Sequence, residues 1–319
     1  MKATNKPFFS VVIPLYNKEN YIKETLQSVI QQSFTDFEVI VVNDGSTDRS
    51  VLVTQEINDP RLKIIEQENG GVSKARNTGI QNASADYIAF LDAVDLWENT
   101  FLEEINALIS DFPTAGLYAT SYCYQTRNGA KQQLQIEKLP KDFKKGIIPD
   151  YFKVMTSKHN FAWASAVCIR KDIFYNDEIW FPVGEKYGED QYVWAAVAVK
   201  HQVAYSTKNC AVYNIEAENN TVKDTNNAME PHGSFFMIRD LRNTISDPKL
   251  LESFDSYCSK LFYSFALKNM LYGVKKRGFE QLVSYKLSPE HKIKLLIAFL
   301  IPRFFTHLFI KIKYGKKEV

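Results

Sequence analysis

FEVIVVNDGSTD, residues 37–48, is an apolar, β-branched run that stops abruptly in a polar turn. Its apolar residues are continuous rather than alternating, so the strand it forms must be buried on both faces. The same form recurs in FFSVVIPLYN (8–17), RLKIIEQ (61–67) and DYIAFLDA (86–93). The intervals between these runs read as helices. Ile22, Leu26, Val29 and Ile30 fall at helical spacing, with Asn17 as the expected N-cap. SVLVTQEIN (50–58), GGVSKARNTGIQNA (70–83) and TFLEEINALI (100–109) supply three more helical stretches. Strand–helix alternation of this kind predicts an α/β fold with a mostly parallel central sheet flanked by helices. Such sheets bind ligands at the carboxyl ends of their strands. Asn17, Asp44 and Asp92 are all expected there.

The middle of the chain, about 113–215, is mixed. AGLYATSYCYQT (115–126), ASAVCIR (164–170) and VAYSTKNCAVYNI (203–215) read as strands. FPVGEKYGEDQYVWAAVAV (181–199) begins as a loop and ends as a helix. The Asn-rich segment EAENNTVKDTNNAMEP (216–231) reads as a loop or boundary. The last hundred residues are helical, with Cys258, Leu261, Phe262, Phe265 and Ala266 on one stripe. Pro302 interrupts the final stretch, HKIKLLIAFLIPRFFTHLFIKIKYGKK (291–317).

Composition narrows the function. The 319 residues are 45% apolar and carry a net charge of +2, which argues against a nucleic-acid-binding role. The charge is uneven: from Lys286 onward eight Lys/Arg face two Glu, so the tail is +6 and the remainder −4. Four widely separated cysteines form no CxxC pair, which disfavours a zinc ribbon and suits buried thiols in a reducing compartment. MKATNKPFFSVVIPLYNKEN (1–20) has no apolar secretory core, and no run of about 18 apolar residues reads as a membrane span. These features predict a cytoplasmic location.

Three stretches carry candidate chemistry, each with a plainer alternative. Asp44 ends a strand, where a carboxylate can accept from a nucleobase or ribose; Asp-Gly is also a common turn pair. Gly70 and Gly71 precede a helix bearing Lys74 and Arg76, where free N–H groups and cations suit a diphosphate; the alternative is a solvated basic face. Neither GxxxxGK[ST] nor GxGxxG is present, so a P-loop and an ordinary dinucleotide fold are disfavoured. Glu189 and Asp190 stand at a helix start, as a general base or as acids complementing the helix dipole.

Taken in order, SVVIPLYN (10–17), VIVVNDGSTD (39–48), NGGVSKARNTGI (69–80), YIAFLDAVDLW (87–97) and YGED (187–190) resemble the family 2 glycosyltransferases. The resemblance covers roughly residues 8–200. It implies a GT-A fold, a nucleotide-sugar donor, a divalent cation (Mn²⁺ or Mg²⁺) and an inverting single displacement. It implies that Pro14, Tyr16 and Asn17 line the nucleotide pocket beside Asp44, which would hold uracil or its equivalent. Lys74, Arg76 and Asp92 would lie by the donor, Asp190 would be the catalytic base with Glu189 beside it, and ASAVCIRKDIF (164–174) would shape the acceptor side. The family's usual Asp-Ala-Asp-Asp is Asp92-Ala93-Val94-Asp95 here. Valine offers a hard cation no lone pair, which leaves three readings: Asp92 or Asp95 takes over the metal with altered affinity, the protein depends less on metal and leans on Lys74 and Arg76, or the catalytic step is impaired. The readings left open are an active transferase and a nucleotide-sugar-binding protein impaired by Val94. A nucleotidyltransferase is disfavoured, since IPLYNKENY (13–21) is not a glycine-rich basic loop.

The expected domains are 1–220, a GT-A catalytic domain, and 221–319, a helical extension. The first divides into a nucleotide-sugar half (about 8–112) and an acceptor half (about 113–220). Neither the Gln-x-x-Arg-Trp signature of polymerising members nor several spans is present, which favours transfer of a single sugar. The cationic, apolar tail suits an anionic membrane surface, and equally a helical cap with a basic outer face. A glycan or lipid-linked acceptor at the inner face of the cell membrane fits the former.

Overall fold

The computed structural model describes residues 6–125, 131–214, 231–271 and 274–301. It divides into two compact units, Met1–Asn220 and Thr221–Val319.

The first unit is built on strands β1 (Phe9–Leu15), β2 (Phe37–Asp44), β3 (Leu62–Gln67), β4 (Tyr87–Phe90), β5 (Leu96–Trp97), β6 (Leu117–Gln125), β7 (Lys131–Gln133), β8 (Lys145–Ile147), β9 (Val167–Arg170) and β10 (Val203–Asn214). They join in one sheet, ordered β3-β2-β1-β4-β9-β6-β10-β5, with β7 on β6 and β8 on β10. β3, β2, β1 and β4 are parallel. β9 runs antiparallel to both β4 and β6, so β6, and β10 parallel to it, point the same way as the first four. Six strands therefore end on one edge of the sheet.

The helices are α1 (Ile22–Ile30), α2 (Ser50–Gln55), α3 (Val72–Asn82), α4 (Phe101–Asp111), α5 (Tyr151–Met155), α6 (Lys171–Asn176) and α7 (Glu189–Lys200). Strand alternation sorts β1 onto two faces. Val11 and Ile13 share a core with Leu26 and Val29 of α1 and Phe101 and Ile105 of α4. Val12 faces α3, which packs so closely that a Cβ on Gly79 would fall 2.3 Å from Val12 Cγ1. Pro14 is tolerated in a central strand for a topological reason. Val12 O accepts from Leu91 N, so residues 12 and 14 turn toward β4, and β4 has ended before Pro14.

Two local expectations are corrected. Asn17 does not cap α1, whose N-cap is Tyr21. Asn17 takes a left-handed conformation (φ 51°) and spends its side-chain oxygen on Thr47 N at 2.8 Å. The second helix is only six residues long, because Glu56–Pro60 turns into β3.

The second unit contains α8 (Gly233–Asp240), a 3₁₀ turn (Leu241–Thr244), α9 (Pro248–Leu271), α10 (Lys275–Ser284) and α11 (Pro289–Leu300). α9 buries Cys258, Phe262 and Ala266 as the stripe predicts, together with Phe254 and Met270. α10 and α11 pack on it. Ser288 caps α11 by accepting from His291 N. All four cysteines are buried and unpaired. Most of the Asn-rich segment, and Pro302 with the chain after it, lie outside the described residues.

At the sheet edge opposite the strand carboxyl ends, Glu38 is 5% exposed and holds four hydrogen bonds. Its donors are Ser10 Oγ, Lys63 Nζ, Ser84 N and Ser84 Oγ. Burial raises the carboxyl pKa, but these partners outweigh it and lower it from 4.5 to about 2. Its stabilising contribution is therefore complete above about pH 4.5 and lost as pH falls toward 2. Glu38→Gln should lower stability by roughly 2 kcal/mol at neutral pH. Urea unfolding at pH 7 and pH 3 should show the gap between variant and parent shrinking in acid.

Candidate active site

The site assembles from the loops that follow β1, β2, β3 and β4, and from the start of α7. The first two loops are tied together. Asn17 N donates to Ser46 Oγ, Lys18 N to Ser50 Oγ and Glu19 N to Asp48 Oδ2. Tyr16, beside this tie, is 47% exposed, and Pro14 is half-buried.

Asp44 ends β2, 3% exposed. Its Oδ1 accepts from Gly70 N at 2.8 Å and Gln67 Nε2 at 2.6 Å, and its Oδ2 from Gly71 N at 2.8 Å. This corrects the expectation of free N–H groups at the two glycines. A buried carboxylate needs donors, and the glycine amides are within its reach. Lys74 folds its stem over Gly70 and donates to Glu68 O at 3.2 Å.

Arg76 is the centre of the site. It sits on the inner face of α3, 3% exposed, with its guanidinium over the Phe181 ring at 5.2 Å. Nη2 donates to Asp92 Oδ1 at 2.8 Å and Nη1 to Glu189 Oε1 at 2.9 Å. Burial opposes its charge, but Asp92, then Glu189 and Asp190, outweigh burial and raise its pKa above the ordinary value. One cation thus joins the end of β4 to the start of α7, residues 92 and 189.

The expected metal pair separates. Asp92 keeps about a quarter of its side chain exposed (28%), and its second oxygen takes no hydrogen bond among the described residues. Asp95 is fully buried. Its Oδ1 accepts from Asn214 N at 3.1 Å, and its Oδ2 from Ser165 Oγ at 2.6 Å and Trp163 Nε1 at 3.1 Å. Burial, with Asp92 adding to it, pushes its pKa up to about 7 against those three bonds. Both carboxylate oxygens of Asp95 are thus taken by donors inside the fold. Through it, Ser165 is held where its Oγ accepts from Asp92 N at 3.1 Å. The turn closes with Asp95 N on Asp92 O, leaving Val94 half-exposed inside it. Among the described residues no three His, Cys, Asp or Glu gather as a metal cluster.

At α7, Gly188 precedes the acids with φ 76°, a left-handed conformation that glycine adopts without Cβ strain. Glu189 is 8% exposed, and its Oε1 accepts from Arg76 Nη1. Asp190 is half-buried, and its Oδ1 accepts from Gln191 N at 2.7 Å. Burial first, then Glu189, pushes its pKa up to about 7, against the pull of Arg76.

The sequence reading missed several supporting residues. Ser165, Trp163 and Asn214 hold Asp95, and Asn77 holds the chain at Phe181 by a reciprocal pair of 2.8 and 3.0 Å. Their partners lie 68 to 119 residues away, beyond any local pattern. Around Trp163 stand Tyr213 at 4.3 Å and Tyr122 at 5.9 Å between ring centroids, with Tyr124 at 5.6 Å from Tyr213.

YibD, an uncharacterised glycosyltransferase of Escherichia coli, is 33% identical over 193 residues, 58% of this chain and 54% of its own. The chain spans between 18% and 54% of the lengths of three such curated relatives. The crystal structure of S. aureus TarS 1-349 in complex with UDP-GlcNAc superposes with a TM-score of 0.64 at 22% identity, over 92% of this chain and 80% of that one. The mannosyltransferase PcManGT from Pyrobaculum calidifontis, in complex with GDP-Man and Mn²⁺, gives 0.53 at 17% identity over 95% and 88%. These likenesses establish the GT-A fold expected from the sequence. The model of glycosyl transferase family 2 matches residues 10–176, more than half of the chain, and the protein belongs to that family.

Proposed function

We propose that the protein transfers a single sugar from a nucleotide-diphosphate sugar to a hydroxyl group, with inversion at the anomeric carbon. The observation that carries this is the Arg76 node, which sets the donor-side Asp92 beside Asp190, a carboxylate poised to accept a proton. UDP is the proposed nucleotide, on the fold shared with TarS. Asp44, Asn17, Tyr16 and Pro14 would line its pocket, and Lys74 would meet the diphosphate. The glycine amides contribute indirectly, by fixing Asp44.

In the transfer, Asp190 takes the acceptor hydroxyl proton as that oxygen attacks the anomeric carbon from the face opposite the leaving diphosphate. The sugar–phosphate bond breaks and negative charge grows on the diphosphate. Arg76, fixed by Asp92 and Glu189, adds positive potential at that point without having to reorganise. A divalent cation would neutralise the same charge. Asp92, whose second carboxylate oxygen takes no hydrogen bond among the described residues, would hold it. Three acids, Asp92, Glu189 and Asp190, surround the single Arg76, an excess of negative charge that favours a cation.

The proposed acceptor is a glycan or lipid-linked sugar of cell-surface polysaccharide synthesis. Trp163, Tyr124 and Tyr213, half-buried beside the Asp92–Asp95 turn, offer apolar ring faces suited to sugar rings. No helix among the described residues is long and apolar enough to cross a membrane. We place the protein at the cytoplasmic face of the membrane, as a peripheral enzyme of two parts: 1–220 catalytic and 221–319 supporting.

A second reading, nucleotide-sugar binding without turnover, rests on Val94. Calorimetric titration with UDP, with and without Mn²⁺, tests both. The active reading expects tighter UDP binding with Mn²⁺ in the parent protein, and about 10-fold further tightening in Val94→Asp as a second carboxylate joins. Metal-indifferent binding that Val94→Asp alone rescues, together with no donor turnover, would favour the silent reading.

Asp190→Asn should reduce kcat by at least about 10³-fold while leaving UDP affinity nearly unchanged. Equal loss of binding would remove Asp190 from the base role. Because the base acts as a carboxylate, kcat/KM should rise about tenfold per pH unit in acid and level off above about pH 7. A profile flat from pH 5 to 8 would contradict it.

A further inference from the structure

The outer face of α11 is apolar where a water-facing helix is ordinarily polar. Ile293, Leu296, Ile297 and Leu300 are 58%, 45%, 56% and 77% exposed. They fall at i, i+3, i+4 and i+7, a single stripe at about 100° of rotation per residue. The opposite side of the helix buries Leu295 and Ala298. Lys292 and Lys294 fall on the two borders, about 90–110° either side of the stripe. Lys294 also pairs with Glu290 at 2.5 Å. The helix thus has three sectors: one packed inward, one apolar and outward, and cationic borders between them.

The apolar surface continues onto α10. Phe299, 36% exposed, meets the ring of Phe279 at 5.3 Å, and Val283 beyond it is 72% exposed. Lys275 Nζ donates to the carbonyls of Phe299 and Ile301, tying the end of α11 to the start of α10. From Lys275 to Ile301 six Lys/Arg face two Glu, a net +4. The sequence continues in kind, with Arg303, Lys311, Lys313, Lys316 and Lys317 against Glu318.

We infer that the Ile293–Leu296–Ile297–Leu300 stripe of α11, bordered by Lys292 and Lys294, is a docking surface for an anionic lipid bilayer. The inference rests on the membrane-side reading above and assigns it a surface. Aliphatic side chains enter the acyl boundary, and border lysines extend their ammonium groups to lipid phosphates. The charge complementarity decides the occupant. A second copy of this chain would bring the same cations against each other, whereas an anionic leaflet neutralises them.

Co-sedimentation of the full chain with phosphatidylcholine vesicles, with and without phosphatidylglycerol, tests this. Binding is expected only with the anionic lipid, and should weaken as salt rises. Ile297→Glu and Leu300→Glu should each lower the bound fraction at a given lipid concentration at least tenfold. Both positions are exposed, so thermal unfolding should be unchanged. Lys292→Glu should weaken binding while keeping the stripe. Absence of binding to anionic vesicles overturns the inference, as does equal binding by both Glu variants. Lipid-free self-association abolished by Ile297→Glu also overturns it, by assigning the stripe to a second copy. UDP titration of the same samples separates the two readings. UDP affinity without vesicle binding defeats only the docking surface; vesicle binding without UDP affinity defeats only the nucleotide-sugar reading.

Discussion

The ion triad of Asp92, Arg76 and Glu189 is the constraint on which the site depends. A guanidinium 3% exposed cannot remain charged in the interior without partners, and its planar fork can serve two carboxylates at once. The two it serves come from elements that sequence separates by 97 positions. The triad therefore fixes the relation of β4's end to α7's start. Removing Arg76 leaves its carboxylates without their cation, which costs about 3–5 kcal/mol. Burial, and then the neighbouring Glu189, raise the pKa of Asp190 to about 7 against the pull of Arg76.

Around the triad, polar atoms are used in a consistent way. Asp44 and Asp95, both at the carboxyl edge of the sheet, are filled by donors from the protein itself. Asp92 and Asp190 keep partial exposure. Four acids that look alike in sequence thus divide into two filled by internal donors and two left partly exposed. Burial decides the division, because a buried carboxylate must be satisfied internally and one at the surface need not be. Val94 falls in a turn whose geometry is kept by Asp95, so the loop retains its form where an acid is absent.

Much of this was legible in the sequence. Continuous apolar runs at 9–15, 37–44 and 87–90 announced parallel strands because only doubly covered strands lack alternation. The positions of Asp44, Asp92 and Asp190 at element ends followed from the same patterning. Arg76 could be singled out, though not its burial. Asn17 was misassigned as a cap because Asn suits both an N-cap and a left-handed loop position, and local sequence does not choose between them. That Asp95 is filled from within was not legible, because its donors, Trp163, Ser165 and Asn214, are distant in the chain.

The sequence by itself determined the class of fold, and it proposed the sheet edge and the side chains of the candidate site. Periodicity and residue chemistry are local properties, and these conclusions required nothing else. Only the tertiary structure decided which acid is filled from within and which stays partly exposed, that Glu189 pairs with Arg76, and that α11 carries an exposed apolar stripe. Each of these depends on which groups meet across the chain and which faces remain uncovered, and neither is set until the sheet and helices have packed.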